Sequence, residues 1–341
     1  MRIALDVMGG DFAPENNIAG VKLALESGYA VDRYLLVGQT DLLVASLKAC
    51  GLSPDHEKLE IVHSDSVVDM CESPTIALRK KKDSSIAVAA RLVKDGLADG
   101  VVSAGNTGAA VASMVVHTRM AAGIERPAIA SVFPGPEGFF TVLDIGANVE
   151  CKPIHLAQYA ILGETYTKVV LGIKSPRIGL LNIGEEDDKG NELARATRKM
   201  LASMPINFVG NIEGSDLFFD KADVVVCDGF VGNIVLKTCE GMAKSLIGSL
   251  KMSLNKTTIR KAGAWLSKNA FVELKEILDH EEYGGAPLMG TNGICIIAHG
   301  SSSPRAICNA IRISTDMVNS GFNQLIGDRS SLIDWTTLTD A

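Results

Sequence analysis

The stretch VVSAGNTGAAV, residues 101–111, decides the fold of this chain of 341 residues. It opens with β-branched apolar residues, as a buried parallel strand does, and closes with small apolar residues of helical character. Between them lie Gly105, Asn106, Thr107 and Gly108. Glycine lets backbone amides approach a ligand without a Cβ in the way, and the helix start offers free N–H groups to an anion. The stretch predicts a strand, a tight turn and a helix, with an anion site at the turn.

The same succession recurs along the chain. Short runs of Ile, Val and Leu end in Gly with Asp, Asn or Ser at residues 3–11, 34–40, 101–108, 140–148, 178–186, 206–214, 223–233 and 295–303. We interpret these runs as buried parallel strands, and helical patterns lie between them. Such alternation predicts an α/β fold with a doubly wound, mostly parallel sheet. No repeat or flexible linker interrupts it, so we expect a single large α/β domain over residues 1–341.

Composition disfavours several classes of protein. The chain is 47% hydrophobic and its formal net charge is -7. A nucleic-acid-binding surface is disfavoured, because proteins that neutralise phosphates usually carry a basic excess. The seven cysteines form no CxxC pair, and their odd number fits reduced thiols. No signal-peptide pattern and no run of 18 apolar residues is present, so we expect a cytoplasmic protein that does not cross a membrane.

The polar residues at the strand ends allow two interpretations. In an open parallel sheet, ligands bind beyond the carboxyl ends of the strands, so several glycine-rich ends are expected to converge on one phosphate-binding cleft. Asn106, Thr107 and Asn233 are also typical of helix N-caps that serve stability alone. Repetition at several strand ends favours a shared site.

Seven blocks of sequence carry a resemblance to one bacterial family. They are MRIALDVMGGDFAP (1–14), RKKKDSS (79–85), SAGNTGA (103–109), LDIGAN (143–148), LLNIGEEDDKGNEL (180–193), CDGFVGNIVLK (227–237) and GGAPLMGTNG (284–293). In this order they resemble the acyl-carrier-protein-dependent phosphate acyltransferases, the PlsX family. The tail of residues 328–341 matches nothing in that pattern and has no predicted role.

The resemblance implies a function and an architecture. Enzymes of this family move a fatty acyl group from the thioester of acyl carrier protein to inorganic phosphate, and release acyl phosphate for phospholipid synthesis. Their fold is similar to the three-layer αβα folds of phosphotransacetylases and isocitrate dehydrogenases. A homodimer is implied, and neither a cofactor nor a metal is.

The reaction itself does not need a protein nucleophile, because a phosphate oxygen can attack the thioester carbonyl directly. The enzyme then has to hold the phosphate and stabilise the tetrahedral oxyanion with cations and N–H donors. No GxSxG motif is present, and HGSSS at residues 299–303 lacks the glycine after its serine. Cys227 and Cys295 lie in apolar strand patterns typical of inert core thiols. The sequence therefore favours direct attack without an acyl-enzyme.

Two residues are candidates for catalysis. Lys189, in EEDDKGNEL, could neutralise the phosphate or the oxyanion, or could balance the four preceding carboxylates in solvent. Asn233 could cap a helix that begins at Ile234, orient phosphate, or donate to the thioester oxygen. The resemblance implies catalytic roles for both residues.

Further strand ends supply candidate substrate-binding residues. The run RKKKDSS could hold phosphate or the phosphopantetheine arm, although a charge run is usually a solvated face. Carboxylates at strand ends could instead bind backbone donors and shape the loops, and His299 could act in acid–base catalysis or make a structural hydrogen bond. The full set is Gly9, Gly10, Asp11, Lys82, Ser84, Ser85, Asn106, Thr107, Gly108, Asp144, Asn148, Asp228 and His299.

One region departs from the sheet pattern. Helical spacing of apolar residues predicts a protruding, basic, amphipathic helical hairpin over residues 234–278. Eight basic and two acidic residues lie between Lys237 and Lys275, on a chain that is acidic overall. Such a surface suits acyl carrier protein, which is acidic, or an anionic membrane. The predicted contact residues are Lys256, Ile259, Arg260, Lys261, Trp265, Leu266, Lys268 and Phe271.

The apolar residues of this tip suit shallow insertion into a membrane surface, or packing against the partner protomer. The resemblance implies peripheral association with the inner face of the cell membrane, and delivery of acyl phosphate to a membrane glycerol-3-phosphate acyltransferase. The alternative functions are a short-chain phosphotransacetylase that uses coenzyme A, and a membrane-recruited carrier-protein scaffold without turnover. A dehydrogenase is disfavoured, because no GxGxxG motif opens a helix.

Overall fold

An eleven-stranded sheet organises the computed structural model, which describes residues 1–136, 138–278 and 284–339. The elements in chain order are β1 (Arg2–Asp6), α1 (Glu15–Glu26), β2 (Arg33–Gly38), α2 (Thr40–Ala49), β3 (Leu59–His63), α3 (Pro74–Lys80), α4 (Ser85–Lys94), β4 (Gly100–Ser103), α5 (Thr107–Thr118), β5 (Ala128–Gly135), β6 (Gly138–Leu143), α6 (Pro153–Val170), β7 (Ile178–Asn182), α7 (Glu192–Ser203), β8 (Phe208–Glu213), β9 (Val224–Val226), α8 (Gly229–Leu254), α9 (Thr258–Leu266), α10 (Lys268–Leu278), β10 (Ala286–Met289), β11 (Ile294–Ile297), α11 (Pro304–Asn319), α12 (Phe322–Ser331) and α13 (Trp335–Thr339).

The sheet consists of two parallel halves that run in opposite directions. The strand order is β3-β2-β1-β4-β11-β10-β5-β6-β9-β7-β8. The five strands from β3 to β11 are parallel, and so are the four from β6 to β8. Between the halves, the pairs β11–β10, β10–β5 and β5–β6 are antiparallel. The carboxyl ends of β4 and β7 therefore lie at opposite edges of the sheet.

Helices cover both faces of this sheet, because its strands are buried on both sides. In β1, Ile3 and Leu5 belong to one hydrophobic core and Ala4 belongs to the other. The first core packs against α1, α2, α6 and α11, and the second against α4 and α5. The alternation of side chains along the strands thus produces three layers, helix, sheet and helix, as predicted.

The eight predicted strands are present, and three more were not predicted. β3 lies at the edge of the sheet and is only partly buried, so its sequence LEIVH lacks a continuous apolar run. β5 and β10 contain Pro134 and Pro287, which disfavour a strand in a sequence pattern. These two strands also reverse the direction of the sheet. The predicted, mostly parallel sheet is therefore confirmed, and its two halves run in opposite directions.

Helix α8 leaves the body of the protein. It has 26 residues, which corresponds to about 39 Å at the usual helical rise. Its buried residues are Gly229 and Gly232, both in the first turns. Helices α9 and α10 follow, so the predicted return segment of the hairpin is two short helices instead of one. None of the helices in the described part of the chain combines the length and the apolar character needed to cross a bilayer.

The C-terminal tail packs against the body. The Arg329 guanidinium donates to the Glu164 carboxylate on α6 at 2.9 Å and to the carbonyl of Pro205. Trp335 Nε1 donates to Ser330 Oγ at 3.1 Å, and Leu338 lies against the first core. The described part of the tail thus consists of the end of α12, a short turn and α13, which its lack of resemblance to the family did not indicate.

Candidate functional site

A cavity of about 350 Å³ lies at the boundary between the two halves of the sheet. Its floor comes from the central strands β5, β10 and β11, and the helices α5 and α8 stand on either side. Four of the predicted site residues line it: Thr107 and Gly108 in the first turn of α5, Asn233 on α8 and His299 after β11. Apolar side chains such as Ile129, Ile145 and Leu236 form much of the rest of its wall. The cavity thus combines apolar surface with a few polar groups, as ligand sites usually do.

The α5 side of the cavity is a helix N-terminus. The side-chain oxygen of Asn106 accepts from Ala109 N at 2.9 Å, so Asn106 is the N-cap. Its Nδ2 donates to the carbonyls of Asp69, Met70 and Glu72. This amide is therefore fully used in holding a loop, and the capping interpretation of Asn106 is confirmed. Thr107 and Gly108, in the first turn, carry backbone N–H groups that have no partner within the helix.

The glycine-rich ends of β1, β4 and β11 pack closely on one another. A Cβ on Gly9 would lie 2.7 Å from the backbone N of Gly105 and from Oδ2 of Asp6. Gly10 has a φ of +108° and abuts the carbonyl of Gly300. The N–H of Asp11 donates to that same carbonyl at 2.7 Å. Gly9, Gly10 and Asp11 do not line the cavity. They support the turns at Gly105 and Gly300, which lie next to the cavity-lining residues Thr107 and His299.

Asp6 lies beneath these glycines. Its side chain is buried, and Oδ2 accepts from the hydroxyl of Ser103 at 2.7 Å. The same hydroxyl oxygen accepts from Gly105 N at 3.1 Å. Burial raises the pKa of Asp6 above its ordinary value, although neighbouring hydroxyls partly offset the shift. A chain of hydrogen bonds thus connects the end of β1 to the turn that precedes α5.

Asp144 organises the loop on the opposite side of the cavity. Its carboxylate accepts from four backbone N–H groups, those of Ile129, Gly146, Ala147 and Asn148. The side chain is completely buried, and burial raises its pKa despite these donors. The carboxylate of Asp144 therefore shapes the loop, which is the alternative role that the sequence allows for strand-end carboxylates. A role in substrate binding stays a prediction.

Asn148 and Asp228 also serve the loop and the helix start. Asn148 Nδ2 donates to the carbonyl of Pro127 and to the hydroxyl of Tyr159. Oδ1 of Asp228 accepts from the N–H groups of Phe230 and Val231, so Asp228 is the N-cap of α8. Neither residue lines the cavity. Both predicted binding residues are occupied by structural hydrogen bonds.

Two glycines let α8 rest directly on the Asp144 loop. A Cβ on Gly232 would lie 1.9 Å from the backbone oxygen of Asp144, and one on Gly229 would lie 2.6 Å from that of Asn148. This close approach places Asn233 in the second turn of α8, near Gly146. The suggestion that Asn233 caps a helix beginning at Ile234 was wrong, because α8 begins five residues earlier, at Gly229.

The carboxamide of Asn233 is exposed at the cavity and has no hydrogen-bond partner among residues 1–136, 138–278 and 284–339. It can therefore donate to a bound oxyanion. His299 contributes to the same cavity from the end of β11. The Nδ1 of its ring accepts from the N–H of Ser301 at 3.2 Å, which assigns the proton of the neutral ring to Nε2.

Lys189 does not line this cavity. It follows β7, which is parallel to the neighbouring strand β9 that precedes α8, so Lys189 and the start of α8 lie at the same edge of the sheet. The carboxyl end of β4 lies at the opposite edge. The Lys189 side chain is exposed, and no described carboxylate forms an ion pair with it. Two of the four preceding acids have other partners, since Glu185 pairs with Lys221 and Asp187 with Arg198. Lys189 therefore lies outside the cavity that Asn233 lines, at the same sheet edge as the start of α8.

The run RKKKDSS is divided between surface and interior. Ser84 and Ser85 are buried and do not line the cavity, and their predicted role in substrate binding stays a prediction. The ammonium of Lys81 donates to the carbonyl of Val67 and to Glu72, whose pKa it lowers. Lys82 is exposed and does not line the cavity.

The thiols of Cys227 and Cys295 are buried, as predicted. Burial raises the pKa of Cys295 to about 12 and that of Cys227 well above its ordinary value. A thiol that stays protonated at neutral pH is a poor nucleophile. Neither thiol lines the cavity.

The predicted contact residues of the helical tip are mostly exposed. Ile259, Trp265 and Leu266 are 84%, 74% and 77% exposed. Phe271 and Lys261 instead line an apolar groove of about 520 Å³ between α8, α9 and α10, together with Leu250 and Leu254. The basic residues Lys256, Arg260 and Lys268 are exposed around it.

Sequence reasoning missed five polar or flexible residues of the cavity. Ser131 lies on the unpredicted strand β5, and Gly146 and Gly285 lie in two of the family-like blocks without a predicted role of their own. Lys237 and Glu240, one turn apart on α8, form an ion pair of 3.0 Å on the cavity wall. Their i,i+3 spacing places both side chains on one face of the helix.

Comparison with known proteins gives consistent results. A family model described as "Fatty acid synthesis protein" matches residues 1–325. The phosphate acyltransferase of Pelotomaculum thermopropionicum is 48% identical over 333 residues, which cover 97% of this chain and 95% of that protein. The phosphate acyltransferase of Geobacter sp. strain M21 is 46% identical, covering 96% of this chain and 92% of that protein.

Solved structures share the fold. A phosphotransacetylase from Streptococcus pyogenes superimposes with a TM-score of 0.63 at 16% identity, covering 94% of each chain. A branched-chain phosphotransacylase from Enterococcus faecalis has a TM-score of 0.59 at 15% identity, covering 93% of this chain and 99% of that one. The predicted phosphotransacetylase-like fold is therefore confirmed.

Gly232 is expected to tolerate no side chain. In Gly232→Ala, the new methyl group would meet the Asp144 carbonyl and push α8 away from the loop. We expect a loss of about 1–3 kcal/mol in the free energy of unfolding, measured with urea. Gly248→Ala is the matched control, because a Cβ there meets nothing within 4 Å. That substitution should stabilise the protein by up to about 1 kcal/mol. Equal stability of the two variants would contradict the close contact.

The buried carboxyl of Asp6 predicts a pH dependence. Its pKa is raised on folding, so its contribution to stability is complete below the ordinary value of 3.8 and is lost as the pH rises through the folded value. Relative to wild type, Asp6→Asn should therefore gain stability as the pH is raised from 4 to 8. The difference in the free energy of unfolding between Asp6→Asn and wild type should change by no more than about 1.4 kcal/mol per pH unit. Urea unfolding at several pH values measures the difference, and a constant difference would refute the assignment.

Proposed function

We propose, from the premise that this chain belongs to the phosphate acyltransferase family and is an acyltransferase, that it transfers a long-chain fatty acyl group from acyl carrier protein to inorganic phosphate. The products would be acyl phosphate and free carrier protein. The observation that carries this proposal is the unpartnered carboxamide of Asn233, which shares a cavity with the N-terminus of α5. Family membership supports the acyl transfer, and the cavity supports an anionic second substrate.

In this mechanism phosphate binds at the first turn of α5. The N–H groups of Thr107 and Gly108 and the positive end of the helix dipole favour an anion there. The thioester carbonyl lies beside Asn233, whose amide donates to the oxyanion as the phosphate oxygen attacks. The carbon–sulfur bond then breaks, and the carrier leaves as a thiolate that takes up a proton. The apolar wall formed by Ile129, Ile145 and Leu236 accommodates the start of the acyl chain.

Lys189 would supply the positive charge in this scheme, although it does not line the cavity. Its uncompensated ammonium supports the role. Either the loop of residues 183–191 closes over the cavity, or a second copy of the chain presents Lys189 in the homodimer that the sequence resemblance implies. In both cases the Lys189 ammonium would reach the phosphate only when the site is complete. Phosphate would then be held most tightly when the thioester is in place.

The tip of α8, α9 and α10 supports a peripheral membrane location. Exposed Ile259, Trp265 and Leu266 stand among exposed basic residues, a combination that suits the interface of an anionic bilayer. Such a location would bring acyl phosphate to an integral glycerol-3-phosphate acyltransferase.

The direct test is phosphate-dependent release of free acyl carrier protein from palmitoyl–acyl carrier protein, with the acyl phosphate product identified by mass. Asn233→Ala and Lys189→Ala should each lower kcat by about 10² to 10³, because each removes a group that stabilises the oxyanion or the phosphate. Asn255→Ala and Lys174→Ala are the matched controls on exposed surface. Wild-type turnover by Lys189→Ala would remove that residue from the mechanism.

Two comparisons refine this experiment. Mixed dimers of Asn233→Ala and Lys189→Ala should recover activity if a second copy supplies the lysine, and should stay inactive if the loop closes within one chain. A donor series of acetyl, butyryl and palmitoyl thioesters on coenzyme A and on carrier protein separates the proposal from a short-chain phosphotransacetylase. Binding of the carrier without phosphate-dependent turnover would favour a scaffold.

Membrane association is tested by sedimentation with anionic liposomes. We expect binding that weakens as salt is raised, since each basic residue near such a surface contributes about 1 kcal/mol. Trp265→Glu and Leu266→Glu should reduce it further. Phe219→Glu is the control, because Phe219 is 71% exposed on the body of the protein. Equal sedimentation of wild type and both tip variants would reject insertion of the tip.

A further inference from the structure

An exposed basic face lies on the short helix α3, beside the cavity. Ile76, Arg79 and Lys80 share one side of this helix, because they are separated by three and four positions. Ala77 is buried against the second core. Lys82 follows the end of the helix and is also exposed. We call Ile76, Arg79, Lys80 and Lys82 the α3 patch.

The cations of this patch form no ion pairs of their own. The four carboxylates of the surrounding chain are those of Asp65, Asp69, Glu72 and Asp83. Asp69 and Glu72 both pair with Lys81, at 3.9 and 2.6 Å, Asp83 pairs with Arg91 at 2.8 Å, and Asp65 pairs with His63 at 3.1 Å. Within the described chain, Arg79, Lys80 and Lys82 form no ion pair, and their charges face solvent.

Apolar surface accompanies these cations, because the side chain of Ile76 on the same face of α3 is 48% exposed. A basic surface with an apolar centre is typical of a protein-docking site, whereas a purely solvated charge run would not need an exposed Ile.

The α3 patch is fixed to the cavity wall. A Cβ on Gly108, which lines the cavity, would lie 2.4 Å from Cγ of Pro74, the first residue of α3. The amide of Asn106 holds the loop that carries Met70 through three carbonyls. Arg79 and Lys80 then lie about 10 Å from the wall along the helix axis. A partner bound to the patch would therefore be held next to the cavity entrance.

We propose that the α3 patch is the docking surface for acyl carrier protein, an acidic partner that presents its thioester to the cavity. This inference rests on the proposed function. The basic residues of the helical tip are a weaker candidate, because about 30 Å of α8 separates them from Asn233. Charge complementarity at the α3 patch would steer the carrier toward the cavity and fix its orientation.

The test compares two acyl donors. With palmitoyl–acyl carrier protein, the double variant Arg79→Glu/Lys80→Glu should raise KM about tenfold or more at low salt, with kcat unchanged. With palmitoyl-pantetheine, a small donor without phosphate or carrier protein, KM should not change. The difference between donors should shrink at high salt, because screening removes the steering.

Two further double variants serve as matched controls. Lys48→Glu/Lys174→Glu makes the same change in net charge at exposed positions elsewhere and should leave both KM values unchanged. Lys256→Glu/Lys261→Glu places the same change on the helical tip. A rise in the carrier KM for the tip variant alone, or for the distant control to the same extent, would overturn the proposal.

Binding of fluorescently labelled acyl carrier protein, read by anisotropy, gives a measure that does not depend on turnover. The affinity should fall about tenfold for Arg79→Glu/Lys80→Glu, and to a smaller extent for Lys82→Glu. Undiminished affinity in both variants would refute the docking surface. If wild type binds the carrier through this patch but does not turn it over with phosphate, the proposed function fails while the docking surface stands.

Discussion

The buried carboxylate of Asp144 is the constraint on which the candidate site depends. Burying a carboxyl group is costly unless hydrogen bonds replace its water, and here four backbone N–H groups do so. These hydrogen bonds hold the loop in one shape. The backbone carbonyl oxygen of Asp144 then lies directly against α8. Only glycine at 229 and 232 allows the helix to pass so closely. The position of Asn233 thus follows from a carboxylate that is buried and bonded to the backbone.

The reversal of the sheet at β10 and β5 determines where the site lies. In a sheet with one strand direction, all carboxyl ends share an edge, and helix starts and loops gather there. Here the two halves are reversed, so the cavity forms over the central antiparallel strands, between α5 of one half and α8 of the other. The same reversal separates Lys189 from Thr107 within one chain. An arrangement of this kind gives each half one wall of the site.

Much of this could be predicted from sequence, and the failures have physical reasons. The strand, turn and helix at residues 101–111 are fully encoded locally, in β-branched residues, glycine and an N-cap, and the structure contains all three. Strand direction is not encoded locally, and the strands that reverse it contain proline. Asp144, Asn148 and Asp228 have the residue types of a binding site, yet their oxygens and amides are occupied by backbone groups that are distant in sequence. Whether a polar side chain is free or occupied is decided by tertiary contacts, as Asn106 and Asn233 illustrate, since only the latter is free.

Helix α8 joins the cavity to the tip as one uninterrupted rod. The buried contacts of Gly229 and Gly232 fix one end of this helix to the body. The carboxamide of Asn233 lies immediately beside these contacts, and Leu254 lies about 33 Å away. A sideways displacement of several ångströms at the far end is therefore reduced to a fraction of an ångström at the amide. Shifts of that size matter in catalysis, where misplacement by 1 Å can cost about two orders of magnitude in rate. In a long rigid arm of this kind, a displacement of the tip would therefore move the Asn233 carboxamide by a much smaller distance.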